Sequence, residues 1–231
     1  MKRSRIVVYA AALAVAVLPL FAAGKDSLDK YWQPSGKSYP AGKAFKTAVT
    51  WAPGQYVVVG TKTKGKIESV SKQLVVRKES GGWVIETVNI DKKGKETATQ
   101  MLLKGFDTAV SAKDASKITI GWMKMRDEEG QVTEIGEEQM ALFGMIAKAS
   151  YEKLVVNVSA PKDGGPVEVP AGSFAGTWYT KDSVKMLGMT VETESWYNSA
   201  VPVNGLVKYQ TTDGKSVSEL LSFGFDGKST F

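Results

Sequence analysis

Between residues 56 and 135 the chain alternates stretches rich in Val, Ile, Thr and aromatics with short Gly-containing turns. Residues 56–63 and 66–78 are separated by Lys64-Gly65, a two-residue hairpin signal, and Ser80-Gly81-Gly82 leads into 83–91. Lys92-Lys93-Gly94 then leads into 95–103, completing an antiparallel meander. Apolar and polar positions alternate imperfectly, as in Gln73, Leu74, Val75, Val76 and Arg77, which suits a sheet with one face on a core. In 117–126, Ile118, Ile120 and Trp122 are expected on one face before the pattern shifts to Met123 and Met125, with Gly121 a place for a bulge. Residues 127–130 read as a turn into a short stretch, 131–135.

The spacing of Met140, Phe143 and Ala147 predicts one principal helix near 137–150, with Leu142, Met145 and Ile146 widening its apolar surface. Glu137 and Glu138 at its start and Lys148 near its end suit the helix dipole. A helix apolar around so much of its circumference is expected inside a concave sheet. Residues 153–159 return to strand character, 160–166 read as a Pro/Gly loop, and 167–180, 190–197, 206–212 and 216–225 read as strands. Asp213-Gly214 joins the last two as a tight turn. The predicted fold class is mainly β (α+β): a curved antiparallel sheet forming an incomplete barrel around that helix. No fixed-period repeat is evident, so a single β-rich domain is expected over 56–231, preceded by an irregular lead-in, 25–55, whose Tyr31, Trp32, Tyr39, Phe45 and Trp51 dock on the body.

The first 24 residues change the setting. Lys2, Arg3 and Arg5 precede an uncharged run from Ile6 to Ala23 in which Pro19 comes late, before Ala22, Ala23 and Gly24. This is the layout of a signal peptide cleaved near Ala23 or Gly24, and it implies a periplasmic or secreted protein. With no Cys in the chain, no lipid is attached by the lipoprotein route. Removing three signal-peptide cations from 30 basic residues leaves 27 against 24 acidic, a net of +3, so the basic balance belongs partly to targeting. The remaining lysines are dispersed rather than gathered in a stripe, and no nucleic-acid partner is expected.

Zero His and zero Cys remove Ser/His/Asp and Cys/His nucleophiles, thiolate or imidazole metal sites and disulfides. Gly-Lys-Ser occurs at Gly36, Gly214 and Gly227, but the residues five places earlier, Tyr31, Tyr209 and Ser222, are not the glycine a phosphate loop needs. The acidic group Asp127, Glu128, Glu129, Glu134, Glu137 and Glu138 lacks calcium-loop spacing and reads as a solvated turn and helix start. Asn157-Val158-Ser159 matches a glycosylation acceptor but falls on a predicted strand. No catalytic residue, metal or cofactor is expected. Trp32, Trp51, Trp83, Trp122, Trp178 and Trp196 are spread singly over the chain, as core-filling residues are.

Val169-Pro170-Ala171-Gly172-Ser173-Phe174, Ser195-Trp196-Tyr197 and Val201-Pro202-Val203-Asn204-Gly205-Leu206-Val207-Lys208 resemble a pattern in exported bacterial proteins of uncharacterised families, whose fold is similar to the LolA/LolB-type lipoprotein carriers. The resemblance implies a curved half-barrel closing around helix, with a concave apolar face able to hold acyl chains or a hydrophobic peptide. The expected function is therefore non-enzymatic binding of a lipid or other hydrophobic envelope component, with Trp122, Met140, Phe143, Ile146 and Trp178 lining the cavity. The alternative is a protein–protein interaction module of the envelope with a packed core and no ligand.

Overall fold

The tight turns set the register of the first half of the sheet. Lys64 and Gly65 both have positive φ (51° and 74°), as do Ser80 and Gly81 (31° and 77°), the left-handed pairs that match the twist of two-residue hairpins. The computed structural model describes residues 28–42, 50–136, 140, 151, 162–186 and 189–231. It places β1 at Ser38–Tyr39, β2 at Tyr56–Thr63, β3 at Lys66–Glu79, β4 at Gly82–Asp91, β5 at Glu96–Lys104, β6 at Thr119–Arg126 and β7 at Val132–Glu134. A short helix, α1, spans Phe106–Ala112 between β5 and β6. The second half contributes β8 (Lys162–Val169), β9 (Gly172–Met186), β10 (Met189–Tyr197), β11 (Leu206–Thr211) and β12 (Ser216–Gly224).

All twelve strands form one sheet in the order β1-β9-β10-β11-β12-β2-β3-β4-β5-β6-β7, with β8 beside β9. Every pairing is antiparallel except β1 with β9. The two ends do not pair with each other, yet Phe174 of β9 and Met123 of β6 belong to the same buried cluster, so the sheet curls around a shared interior without closing. This is the incomplete barrel the sequence predicts.

Its floor is apolar and filled. Val57, Val75, Ile85, Met101, Leu103, Met123, Phe174, Val207 and Leu220 point inward, each at most 2% exposed. Trp51 lies flat on Phe106 (3.7 Å between centroids, 4° between planes), and Trp83 and Tyr151 meet Trp51 edge-on. The β10–β11 connection also folds inward, contributing Val201 and Val203, and the Val203 carbonyl accepts the Trp51 indole N–H at 2.8 Å. Burial of this size is the main source of stability in a sheet that does not close.

Two segments cover the outer face. Leu28, Tyr31 and Trp32, around a 3₁₀ turn at Asp29–Trp32, pack on Val58, Val70 and Leu221. Residues 225–231 cross β3–β5, where Glu86 of β4, 1% exposed, accepts hydrogen bonds from Gln100, from the Ser229 hydroxyl and from the Thr230 amide and hydroxyl.

Three sequence expectations are corrected. Residues 162–166, expected in a loop, belong to β8: the chain turns at Pro170-Ala171, and two register shifts opposite β9 absorb Gly164, Gly165 and Pro166 on this edge strand. The strand expected over 167–180 is therefore two strands. Helix α1 falls where no helix is expected. The principal helix near 137–150 lies outside the described residues apart from Met140, which is helical and packs on the floor, as does helical Tyr151 just beyond it. The strand expected at 153–159 also lies outside them.

Candidate functional site

Alternation along each strand decides which side chains continue the inner face above the floor. On β9 they are Trp178, Thr180 and Asp182, in line with buried Phe174. Opposite them on β10 stand Tyr197, Ser195 and Thr193, in direct register. Then come Tyr209 of β11, Ser218 and Ser216 of β12, and Thr61 of β2. Ser69, Ser71 and Gln73 of β3, Thr87 and Asn89 of β4, and Thr97 and Thr99 of β5 extend the same face. The interior is thus zoned, apolar below and lined by hydroxyls and amides above.

One rung of this wall is continuous. Thr180 pairs with Ser195, Ser195 with Tyr209, Tyr209 with Ser218, Ser218 with Thr61, and Thr61 with Ser69. At about 4.8 Å between strands this sets six hydroxyls side by side over roughly 24 Å. The Thr61 and Ser218 hydroxyls are 3.0 Å apart. Thr180, Ser195 and Ser218 are buried, whereas Thr61, Ser69 and Tyr209 keep partial exposure. The neighbouring rungs hold Ser71, Thr87, Thr97 and Thr99, each half-buried and without a hydrogen-bond partner among the described residues. The Ser216 hydroxyl is buried and likewise has none.

The charge on the wall is that of carboxylates, since the inner-face positions named above include no Lys or Arg. Asp182 carries a carboxylate there, with the Thr180 hydroxyl donating to it at 3.4 Å. Asp91 closes the β4–β5 turn by accepting the Lys93 and Lys95 amides at 2.8 and 2.9 Å, so its charge is used locally. Burial pushes the Tyr197 and Tyr209 phenols above their ordinary range, and the nearby Asp182 charge pushes the same way, against hydrogen bonds with Ser195, Thr180 and Thr193. Both therefore stay protonated hydrogen-bonding groups. Burial also raises the Tyr151 phenol, which accepts the Gln73 amide at 3.1 Å where floor meets wall.

The structure separates the five expected lining residues. Trp178 is on the wall, half-buried, beside Tyr197, with its indole N–H donating to the Gly42 carbonyl at 3.2 Å. Met140 packs against the floor. Phe143 and Ile146 lie outside the described residues. Trp122 stands on the outer face, donating to Glu79 at 3.3 Å with the Lys124 ammonium 5.7 Å from its ring centroid. The reason is a bulge: Ile120 pairs with Leu103 and Met123 with Met101, so two residues oppose Leu102 and Trp122 is rotated away.

The hydroxyl wall stands out little in the sequence, because inward-facing Ser and Thr look the same there as solvent-facing ones. Its trace is a run of Ser/Thr pairs spaced by two: Thr61/Thr63, Ser69/Ser71, Thr97/Thr99, Thr193/Ser195 and Ser216/Ser218. Among the described residues no group of three or more acidic side chains is placed to hold a metal ion. Asp127 instead caps its own turn, accepting the Glu129 and Gln131 amides at 3.0 and 2.8 Å.

No protein-family model matches the chain, and no curated protein matches it in sequence. Two solved structures are similar in shape. One is a protein assigned as exported, with a YmcC-like fold, from Bacteroides fragilis: 12% identity, 77% of this chain and 98% of that chain covered, TM-score 0.35. The other is assigned as a lipoprotein, from Parabacteroides distasonis: 13% identity, 76% and 97% covered, TM-score 0.37. At these scores the likeness assigns neither family nor activity. Among the described residues no helix is long and apolar enough to cross a membrane.

Proposed function

We propose that this chain acts outside the cytoplasm as a non-enzymatic binding protein, with the inner wall of its half-barrel holding a component of the cell envelope. The supporting observation is the zoned interior: the floor is filled by the chain's own Trp51, Phe106 and Tyr151, while the wall above it presents Ser71, Thr87, Thr97 and Thr99, half-buried and without a partner among the described residues. Hydroxyls that still reach solvent can pair with a ligand instead, at a net gain of about 0.5–1.5 kcal/mol each. The basic start and uncharged run at residues 1–24 support the location. Tyrosines held protonated and a chain without His or Cys favour binding over chemistry. The acyl-chain reading implied by LolA-type carriers needs apolar space, which the described floor gives to its own aromatics. The wall, more than the floor, is the expected contact surface.

Contact with another envelope protein is the second reading. It is favoured by the outer face of β9–β11, where Tyr179 and Trp196 are half-buried 5.3 Å apart, Glu194 accepts the Tyr179 hydroxyl at 2.8 Å, and the Lys208 ammonium lies 5.4 Å from the Trp196 ring centroid. Native mass spectrometry of the chain purified from periplasm, with organic extraction, separates the two. A bound component lost in folded Ser195→Val supports the first. An apo mass, with crosslinking to a protein that Trp196→Ala abolishes, overturns it in favour of the second.

A further inference from the structure

We propose that the outer face of β9–β11 is a docking surface for an extended segment of another protein, one that presents a carboxylate to Lys208 and a carbonyl to the Trp196 indole N–H. The inference rests on the protein-contact reading above and states the chemistry of the partner.

The site is a single rung of the sheet. Tyr179 stands opposite Trp196, Trp196 opposite Lys208, and Lys208 opposite Glu219, in direct register. Gly164 of β8 leaves room for the aromatic pair: a Cβ there would come within 3.0 Å of the Trp196 Cδ1 and 3.1 Å of the Tyr179 Cβ. Packing seats the indole, and its polar edge is left uncommitted.

Two donors on this rung are unused. Trp32, Trp51, Trp83, Trp122 and Trp178 each donate the indole N–H to a carboxylate or carbonyl of the chain. Trp196, half-buried, is the one tryptophan whose N–H has no acceptor among the described residues. Lys208 is the second. Its register partner Glu219 already accepts the Lys62 ammonium at 3.3 Å and the Trp32 N–H at 3.4 Å. Glu194 feels the Lys208 charge, but its carboxyl is held low chiefly by the Gln210 amide and the Tyr179 hydroxyl, which occupy both oxygens at 2.7 and 2.8 Å. Glu192 is paired with Lys181 at 3.0 Å. Lys208, half-buried, therefore has no ion-pair partner among the described residues, and rests 5.4 Å from the Trp196 ring centroid, a weak hold on an ammonium.

Donors left without acceptors call for oxygens from a partner. The six charges around the rung are Lys62, Lys181 and Lys208 against Glu192, Glu194 and Glu219, so a polyanionic glycan or an anionic lipid surface meets as many like charges as opposite ones. One carboxylate placed at Lys208 avoids that repulsion. An extended peptide supplies the carboxylate and a nearby main-chain carbonyl together, with an apolar neighbour for the Tyr179 and Trp196 rings. Aromatic anchors of this kind dominate the energetics of protein interfaces.

The test follows the six indole N–H signals of the 15N-labelled chain by NMR, with Trp196→Phe assigning the one that belongs to Trp196. The probes are acetyl-Phe-Glu-Leu-amide and its neutral counterpart acetyl-Phe-Gln-Leu-amide, with the galacturonate trimer and phosphatidylglycerol vesicles as the other anionic surfaces. The acidic peptide should move the Trp196 signal with half-saturation on the order of 1 mM, as suits so small a ligand. The neutral peptide should bind about tenfold more weakly, Lys208→Gln should weaken the acidic peptide by a similar factor, and Lys208→Arg should retain it. The comparison of the two peptides needs no variant, and the remaining tryptophan signals establish that each variant is folded. Equal response to both peptides, no response to either, or a stronger response to the galacturonate or the vesicles overturns the proposal. So does a dimer, seen by sedimentation velocity, that Trp196→Ala dissolves. If the proposal fails in the first of these ways while a crosslink to another protein in intact cells is still lost in Trp196→Ala, the partner chemistry is wrong and the contact reading stands. If there is no such crosslink, both fail.

Discussion

Trp51 is the residue on which most of the interior depends. It is 4% exposed, stacks on Phe106 at 3.7 Å, and donates to the Val203 carbonyl at 2.8 Å. Trp51→Ala should lower unfolding stability by about 3–5 kcal/mol through the cavity it leaves. Trp51→Phe should cost less, about 1–3 kcal/mol, chiefly because the Val203 carbonyl loses its donor. Urea titration distinguishes the two, and equal losses would mean that the ring's packing contributes little beyond the hydrogen bond, which both variants lose. Val203 itself sits at φ 67°, a region a β-branched side chain rarely visits, while 2% exposed. The contacts that hold it there include Trp51, so Trp51→Phe should speed hydrogen exchange at the Asn204 and Gly205 amides, both bonded to the Pro202 carbonyl, before the strands respond. In the sequence, Trp51 is recognisable as an aromatic that docks. Its partners are not, because Val203 is 152 positions away. Trp122 fails for a different reason: counting by two along β6 places it with Ile120, and the bulge opposite Leu102 moves it to the other face.

At the scale of elements, what the sequence shows well are the hairpins, because left-handed pairs such as Lys64-Gly65 act locally and leave their mark in two residues. Elements that depend on distant partners are harder to see. Helix α1 has only seven residues, two of them buried, Phe106 and Ala109, too few for a helical period to stand out. β8 contains two glycines and a proline and becomes a strand only because β9 turns back beside it. The covering segments are of the same kind. Gly60 of β2 lies under Trp32, and a Cβ there would come within 2.2 Å of the indole. Gly60→Ala should therefore displace the 28–32 segment, seen as a red-shifted tryptophan emission and faster tryptic cleavage at Lys30 and Lys37, with the sheet retained. Unchanged emission and cleavage would show that the indole can slide aside in place. On the opposite covering segment, deleting Ser229–Phe231 removes the Ser229 and Thr230 donors from Glu86, leaving Gln100. The loss expected is about 2–4 kcal/mol. Adding Glu86→Leu to the truncated chain should recover part of it, since a buried apolar group needs no partner. A truncation that leaves the melting temperature unchanged would show that the tail only rests on the sheet.

For the whole molecule, the division of the interior into floor and wall makes stability depend on pH in a specific direction. Tyr151, Tyr197 and Tyr209 all face inward, and burial raises each phenol above its ordinary range, opposed in part by hydrogen bonds. In the unfolded chain these phenols ionise near pH 10. Above that pH the unfolded state loses protons that the folded state keeps, so stability falls as pH rises; below it the full contribution is present. For Tyr151, 4% exposed, the slope is about 1.4 kcal/mol per pH unit between the unfolded and folded values. Urea midpoints measured from pH 8 to 11.5 should stay flat at first and then decline. Tyr151→Phe should start lower, having lost the Gln73 bond, and decline less steeply, because one proton no longer distinguishes the two states. Parallel declines would mean the Tyr151 hydroxyl reaches solvent when folded. The curved, unclosed sheet itself is visible in the sequence through strand periodicity, but the level at which the interior turns polar is not. That level depends on which residues of eight strands share a rung, and only the register of the folded sheet decides it.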